Sequence, residues 1–177
     1  MQQRNERWVQ WAPVLLAVVV TALQLGWEQV HGGVKSHHLL NRADLPTISN
    51  WWGLLVLPAL GALAGYVVLR RARRAPLAVR HALMGMSGAL VAGVALSVAF
   101  VAGSESAASA VFVGILGASV VVPAYRAEYV FGFVLGMTFV FGAVLPTLFG
   151  LLVVAVSALA WRVLFPLVMG VVRLAWR

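Results

Sequence analysis

The sequence predicts an all-α integral membrane protein: six transmembrane helices in a tightly packed bundle, with one ordered outer loop. Three observations carry that expectation. Hydrophobic residues make up 62% of the 177 residues and charged residues 10%, against roughly 45–50% and about 25% in ordinary globular domains. The apolar residues fall in runs near the ~20 residues that cross about 30 Å of hydrocarbon. The arginines fall in short clusters between those runs, the pattern of a polytopic membrane protein. Too little polar surface remains to cover a soluble enzyme or a disordered regulator. The net charge of +8 does not imply nucleic acid, because a nucleic-acid groove needs basic residues spread over one solvated face. With no cysteine, thiolate metal sites, disulfides and a cysteine nucleophile are excluded.

The first expected span covers about 8–27. It follows Arg4 and Arg7 and leads into Trp27-Glu28-Gln29-Val30-His31 with no small-residue cleavage site, so it is not a signal peptide. The second covers 51–69, the third 82–103 and the fourth 107–122. The fourth is short, bounded by Ser106 and Pro123. The apolar stretch from Tyr129 to Val172 is twice one span, and no charged loop divides it. Proline disfavours helix at the residue before it, so a tight hairpin is expected at Leu145-Pro146-Thr147, giving spans 129–146 and 148–172. The rival arrangement has five spans and a C-terminal interfacial helix carrying Trp161, Arg162, Arg173, Trp176 and Arg177.

Charge favours six. Arg4, Arg7, Arg70, Arg71, Arg73, Arg74, Arg80, Arg126, Arg173 and Arg177 then share one side, and only Lys35 and Arg42 lie on the other. The positive-inside rule puts both termini in the cytoplasm of a bacterial-type inner membrane. Arg162 is left within the last span, where its long side chain can snorkel to the interface. Arg70, Arg71, Arg73 and Arg74 form the core of a basic cytoplasmic loop, 70–80, suited to anionic lipid head groups at about 1 kcal/mol each. Across the other cytoplasmic turn, Arg126 and Glu128 are expected to form a local ion pair.

Small residues recur at four-residue spacing: Gly61 and Gly65; Ala89, Gly93 and Ser97; Ala110, Gly114 and Ala118; Gly132 and Gly136. Such rows let helix backbones approach closely where lipid supplies no hydrophobic drive. They are expected as packing faces, with a homo-oligomer or another membrane protein as the alternative user.

The polar chemistry gathers on the outer side. Glu28, His31, His37, His38, Asp44 and Glu105 fall there, all but Glu105 in the loop 27–50. Loops this long in a compact bundle are usually functional or disordered. This one carries Leu39, Leu40, Leu45 and Ile48 and ends in Trp51-Trp52, so it is expected to pack over the bundle. These six residues are the expected pocket, opening outward. Neutral imidazoles with a carboxylate suit a divalent first-row metal such as zinc, and His31, His37, His38 and Asp44 are its candidate ligands. The alternative is a set of solvated loop histidines. Ser49 or Asn50 is expected to cap the second span, the paired tryptophans to sit at head-group level, and Glu105 to favour the positive start of span four.

The chain has no Walker A, GxSxG, HExxH or dinucleotide fingerprint. Spans one to five carry no charge in their middles, where proton-coupled carriers usually keep a carboxylate. The expected function is therefore binding or transport of a small or lipid-like ligand through the outward-facing pocket. The alternatives are a membrane-embedded metal-dependent enzyme using the Glu/His/Asp set, and an accessory subunit of a larger membrane complex.

Overall fold

A computed structural model describes residues 2–38, 44 and 47–176; for residues 2–6, 38 and 175 it describes the backbone alone. The chain is an all-α bundle. Its helices are α1 (Gln2–Val30), α2 (Gly53–Ala72), α3 (Ala78–Val101), α4 (Glu105–Val121), α5 (Ala127–Phe141) and α6 (Val144–Leu159). α6 runs on through a π-helical turn (Ala160–Leu164) into α7 (Phe165–Ala175). Four stretches are long and apolar enough to cross a membrane: Arg7–Val30, Asn50–Ala72, Ala78–Val101 and Val144–Leu174. α4 and α5, at 17 and 15 residues, are shorter.

The outside of the bundle is largely apolar: Leu15, Val19, Leu55, Val91, Val98 and Leu151 are among its exposed side chains. Such a surface suits lipid and not water. Inside, the short helix α5 is the hub. Phe131 to Leu135 of α5 are all buried, the pattern of a helix enclosed on every side. Phe131, Val134 and Leu135 join Ala17, Leu57, Ala64 and Ala143 in one core. Phe133 and Met137 join Leu96 of α3 in a second, against Phe112 and Ile115 of α4.

The small-residue rows explain how these helices come so close. Gly61 and Gly65 lie against the backbone of α1 at Pro13 and Gln10. Gly93, Gly132 and Gly136 do the same between α3 and α5, where any side chain would strike a carbonyl. Ser97 adds a 3.3 Å hydrogen bond from its hydroxyl to the Gly136 carbonyl. Three of the four rows are thus packing faces within one chain. The fourth, Ala110, Gly114 and Ala118 of α4, is exposed.

The turn between the last two spans falls at Gly142-Ala143 instead of Pro146. Gly142 has φ 69° and ψ −171°, a region open essentially to glycine alone. Pro146 is the third residue of α6, where its missing N–H would have had no intrahelical partner. The apolar stretch is thus two helices joined by a turn, α5 and α6, as expected from its length.

α6, the π turn and α7 make a single helical rod. Val144–Leu174 spans 31 residues, about 46 Å at 1.5 Å per residue, well beyond a ~30 Å hydrocarbon layer. Arg162 lies in the π turn, its guanidinium 5.1 Å from the centre of the Tyr125 ring in the α4–α5 turn. The described side chains of α7, from Phe165 to Leu174, are all exposed.

The loop between α1 and α2 contributes a short antiparallel hairpin, β1 (Ser36–His38) paired with β2 (Thr47–Ser49), His37 opposite Ile48. The Asn50 N–H closes its base by donating to the Lys35 carbonyl at 3.0 Å, and the Lys35 N–H donates to Glu28 of α1. Leu39, Leu40, Arg42 and Leu45 lie outside the described residues.

Candidate functional site

At the loop end, Glu28 terminates the polar stripe of α1. Thr21, Gln24 and Glu28 follow at i, i+3 and i+7 and are all buried, so α1 turns one polar line inward. The Glu28 side chain is 4% exposed. One carboxylate oxygen accepts from Gln24 Nε2 at 3.1 Å and from Asn50 Nδ2 at 2.6 Å. The other accepts from the Lys35 backbone N–H at 3.0 Å. Neutral donors therefore hold this carboxylate, and it ties α1 to the hairpin and to the start of α2. The Asn50 amide in turn fills the space where Gly142 lacks a side chain. Thr21 Oγ1 and Gln24 Oε1 are buried without a hydrogen-bond partner among the described residues.

Of the other expected pocket residues, His31, Asp44 and Glu105 make no hydrogen bond to Glu28 among the described residues. His31 is exposed; its Nδ1 donates to the Trp27 carbonyl at 2.8 Å, and its ring stacks on the Trp27 indole at 3.8 Å. The Glu-x-x-His spacing thus turns His31 back onto its own helix. His37 is half-buried and its Nε2 has no partner among the described residues. Burial pushes its pKa down, partly offset by the nearby Glu28 carboxylate and reinforced by Lys35. Asp44 and Glu105 are exposed, and the His38 side chain lies outside the described residues. Among the described residues no three His, Asp or Glu side chains form a group able to hold a metal ion. The physical reason is that the lone pairs of Glu28 are committed to amide donors and the Nδ1 of His31 to a carbonyl.

Side-chain caps shape two helix starts. Ser49 Oγ accepts from the Trp51 N–H at 3.4 Å, capping the 3₁₀ turn that leads into α2. Ser104 caps α4 at Ala107, with Glu105 in the first helical turn. Trp51 and Trp52 are exposed on the rim of the bundle.

The opposite end is basic. The start of α1, the α2–α3 connection, the α4–α5 turn and Arg162 meet there. Glu128 does not pair locally with Arg126; it bonds Arg71 at 2.5 Å. Helical geometry decides this. Arg126 precedes α5 in an extended conformation, whereas Glu128 points inward from its first turn toward the end of α2. Of the expected lipid-binding arginines, Arg71 is thereby occupied, and Arg70 lies 5.8 Å from the centre of the Tyr66 ring.

Between α3, α4, α5 and α6 a cleft of about 570 Å³ opens at this basic end. Small residues create it: Gly85, Gly88, Ala89 and Ala92 on α3 face Ala118 and Ser119 on α4. Phe133, Val130 and Val153 line its depth, and His81, Arg126 and Tyr129 its mouth. Gly88 meets nothing within 4 Å of its missing side chain, so it borders open space; Gly85, by contrast, is pressed by the Tyr129 ring. Sequence reasoning missed this site. Its signal in the sequence was the run of small residues Gly85-x-x-Gly88-Ala89 on α3 and Ala118-Ser119 on α4. No protein-family model, curated protein or solved structure matches the chain.

Proposed function

We propose that this chain is a multi-pass protein of a bacterial-type inner membrane that binds or transports a lipid-like ligand, with the cleft between α3 and α6 as its site. The carrying observation is the cleft itself: about 570 Å³, inside the roughly 300–1,000 Å³ of ligand pockets, apolar in depth with a few polar groups at one end. From His81 to Ala92 the α3 wall runs about 16 Å at 1.5 Å per residue, a length that suits an extended chain better than a compact solute. The arginine-rich end, holding both termini, faces the cytoplasm by the positive-inside rule. The site thus opens toward the cytoplasmic leaflet and not outward from the loop residues. A membrane-protein partner or second copy would use the open α4 row of Ala110, Gly114 and Ala118.

The test is lipid analysis of the purified chain. Wild-type protein should retain tightly bound lipid through detergent exchange, and Gly88→Trp, which fills the cleft without meeting backbone, should lose it. Equal retention by both proteins sinks the reading. Reporter fusions at the C-terminus test the orientation: a terminus on the same side as His37 would overturn it.

A further inference from the structure

Beside the mouth of the cleft lies a second cavity, of about 480 Å³, lined by the α2–α3 connection. The two cavities share His81 and Arg126 in their walls. The second is lined by Arg71, Arg74, His81 and Arg126 around Pro76 and Leu77, with no carboxylate among its lining residues. The charges can be sorted. Arg71 is neutralised by Glu128, which is itself buried. Arg74 and Arg126 remain as cations facing the cavity, and His81 adds a ring donor. An apolar slot thus lies beside a cationic chamber, with His81 and Arg126 in the wall of both. This is the polarity profile of one amphiphile: a hydrocarbon tail and an anionic head.

We infer that the two cavities together hold a membrane lipid with an anionic, phosphate-containing head group, its acyl chain in the slot and its head on Arg74, Arg126 and His81. Arginine forks suit phosphate oxygens bidentately, and a head group at the cytoplasmic surface adds attraction for each basic residue nearby. This rests on the reading of the cleft as a lipid site and adds the class of lipid. The residues differ from the exposed Arg70–Arg74 run as a whole, because only Arg71 and Arg74 of that run face the chamber and Arg71 is already paired.

The experiment is native mass spectrometry of the full chain in detergent, titrated with phosphatidic acid, phosphatidylcholine or inorganic phosphate, with thermal unfolding checked for every variant. Phosphatidic acid should bind in preference to phosphatidylcholine. Arg74→Gln with Arg126→Gln should weaken phosphatidic acid by about 25-fold, roughly fivefold per arginine, and leave phosphatidylcholine unchanged. Arg126→Lys should keep part of the preference, because the charge remains while the bidentate fork is lost. Gly88→Trp, or Gly88→Leu should the larger variant fold poorly, should weaken both lipids. If the Gly88 variants strip lipid but the double arginine variant keeps its preference, the head-group inference falls and the cleft reading stands. If the Gly88 variants bind lipid as the wild type does, the cleft reading falls with it. Competition by inorganic phosphate as effective as by the lipid would make the chamber a free-anion site and overturn the proposal.

Discussion

Glu28 and Glu128 sit at opposite ends of the same bundle, both almost fully buried, and they are held in opposite ways. Glu28 has three neutral donors, from Gln24, Asn50 and the Lys35 backbone. Glu128 has a cation, Arg71. The neutral arrangement closes the loop end: it pins a hairpin, a helix start and, through Asn50, the Gly142 turn. The ionic arrangement at the basic end adds the Arg71 bridge to the apolar packing of α2 on α5, and the cleft lies nearby between α3, α4, α5 and α6. Several neutral donors join three segments at one end; a single cation joins two helices at the other.

The comparison can be broken from its strongest side first. Glu28→Ala strands three donors, each worth roughly 1–3 kcal/mol when left unsatisfied and buried. The expected loss is at least about 3 kcal/mol, read as a lowered unfolding temperature in detergent. Glu28→Gln should cost less, because an amide oxygen can still accept from Gln24 and Asn50 while its NH₂ faces the Lys35 N–H. Equal losses for the two variants would mean the charge, and not the donor geometry, holds the end together.

Gly142→Ala comes next. A side chain there would strike the Asn50 amide, and the backbone conformation itself costs a non-glycine residue about 1–3 kcal/mol. A loss of about 3 kcal/mol is expected, largely removed in the Asn50→Ala background if the collision is its main source. Unchanged stability would show that the turn relaxes freely.

At the basic end the ion pair should behave asymmetrically. Glu128 is 3% exposed and Arg71 is 30% exposed. Arg71→Gln leaves a buried carboxylate alone and should cost about 2–3 kcal/mol, below the roughly 3–5 kcal/mol of a fully buried pair because water reaches one partner. Glu128→Gln leaves a guanidinium that can turn to water and should cost about 1 kcal/mol. The double variant should recover part of the Arg71→Gln loss. The reverse order would mean that Arg71 is held by something other than Glu128.

The smallest effect is the pH response of the hairpin. Burial lowers the pKa of His37, so between the ordinary imidazole value near 6.5 and the lower folded value the unfolded chain binds more protons than the folded one. Stability contributed by this group is therefore complete above that range and falls as pH drops through it. His37→Gln should flatten that part of a stability-versus-pH curve. A slope that survives the substitution assigns the response to other groups.

Composition and spacing alone fixed the all-α architecture, the six-helix count, the grouping of basic residues at one end and the packing role of the Gly61, Gly93, Gly132 and Gly136 rows. Each depends on chain-local quantities: run length, charge position, and side-chain size at helical period. The cap at Ser49 was legible for the same reason, since a cap acts within a turn of its own residue. Tertiary structure decided what meets across the bundle. Glu28 has the sequence look of a metal ligand beside His31, yet Asn50, 22 residues away, and Gln24 take its oxygens. Glu128 has Arg126 as its neighbour in sequence, yet Arg71, 57 residues away, takes its charge. The cleft is the clearest case: a cavity is made by small residues on separate helices failing to fill one space, and only the relative placement of those helices determines whether the space is filled.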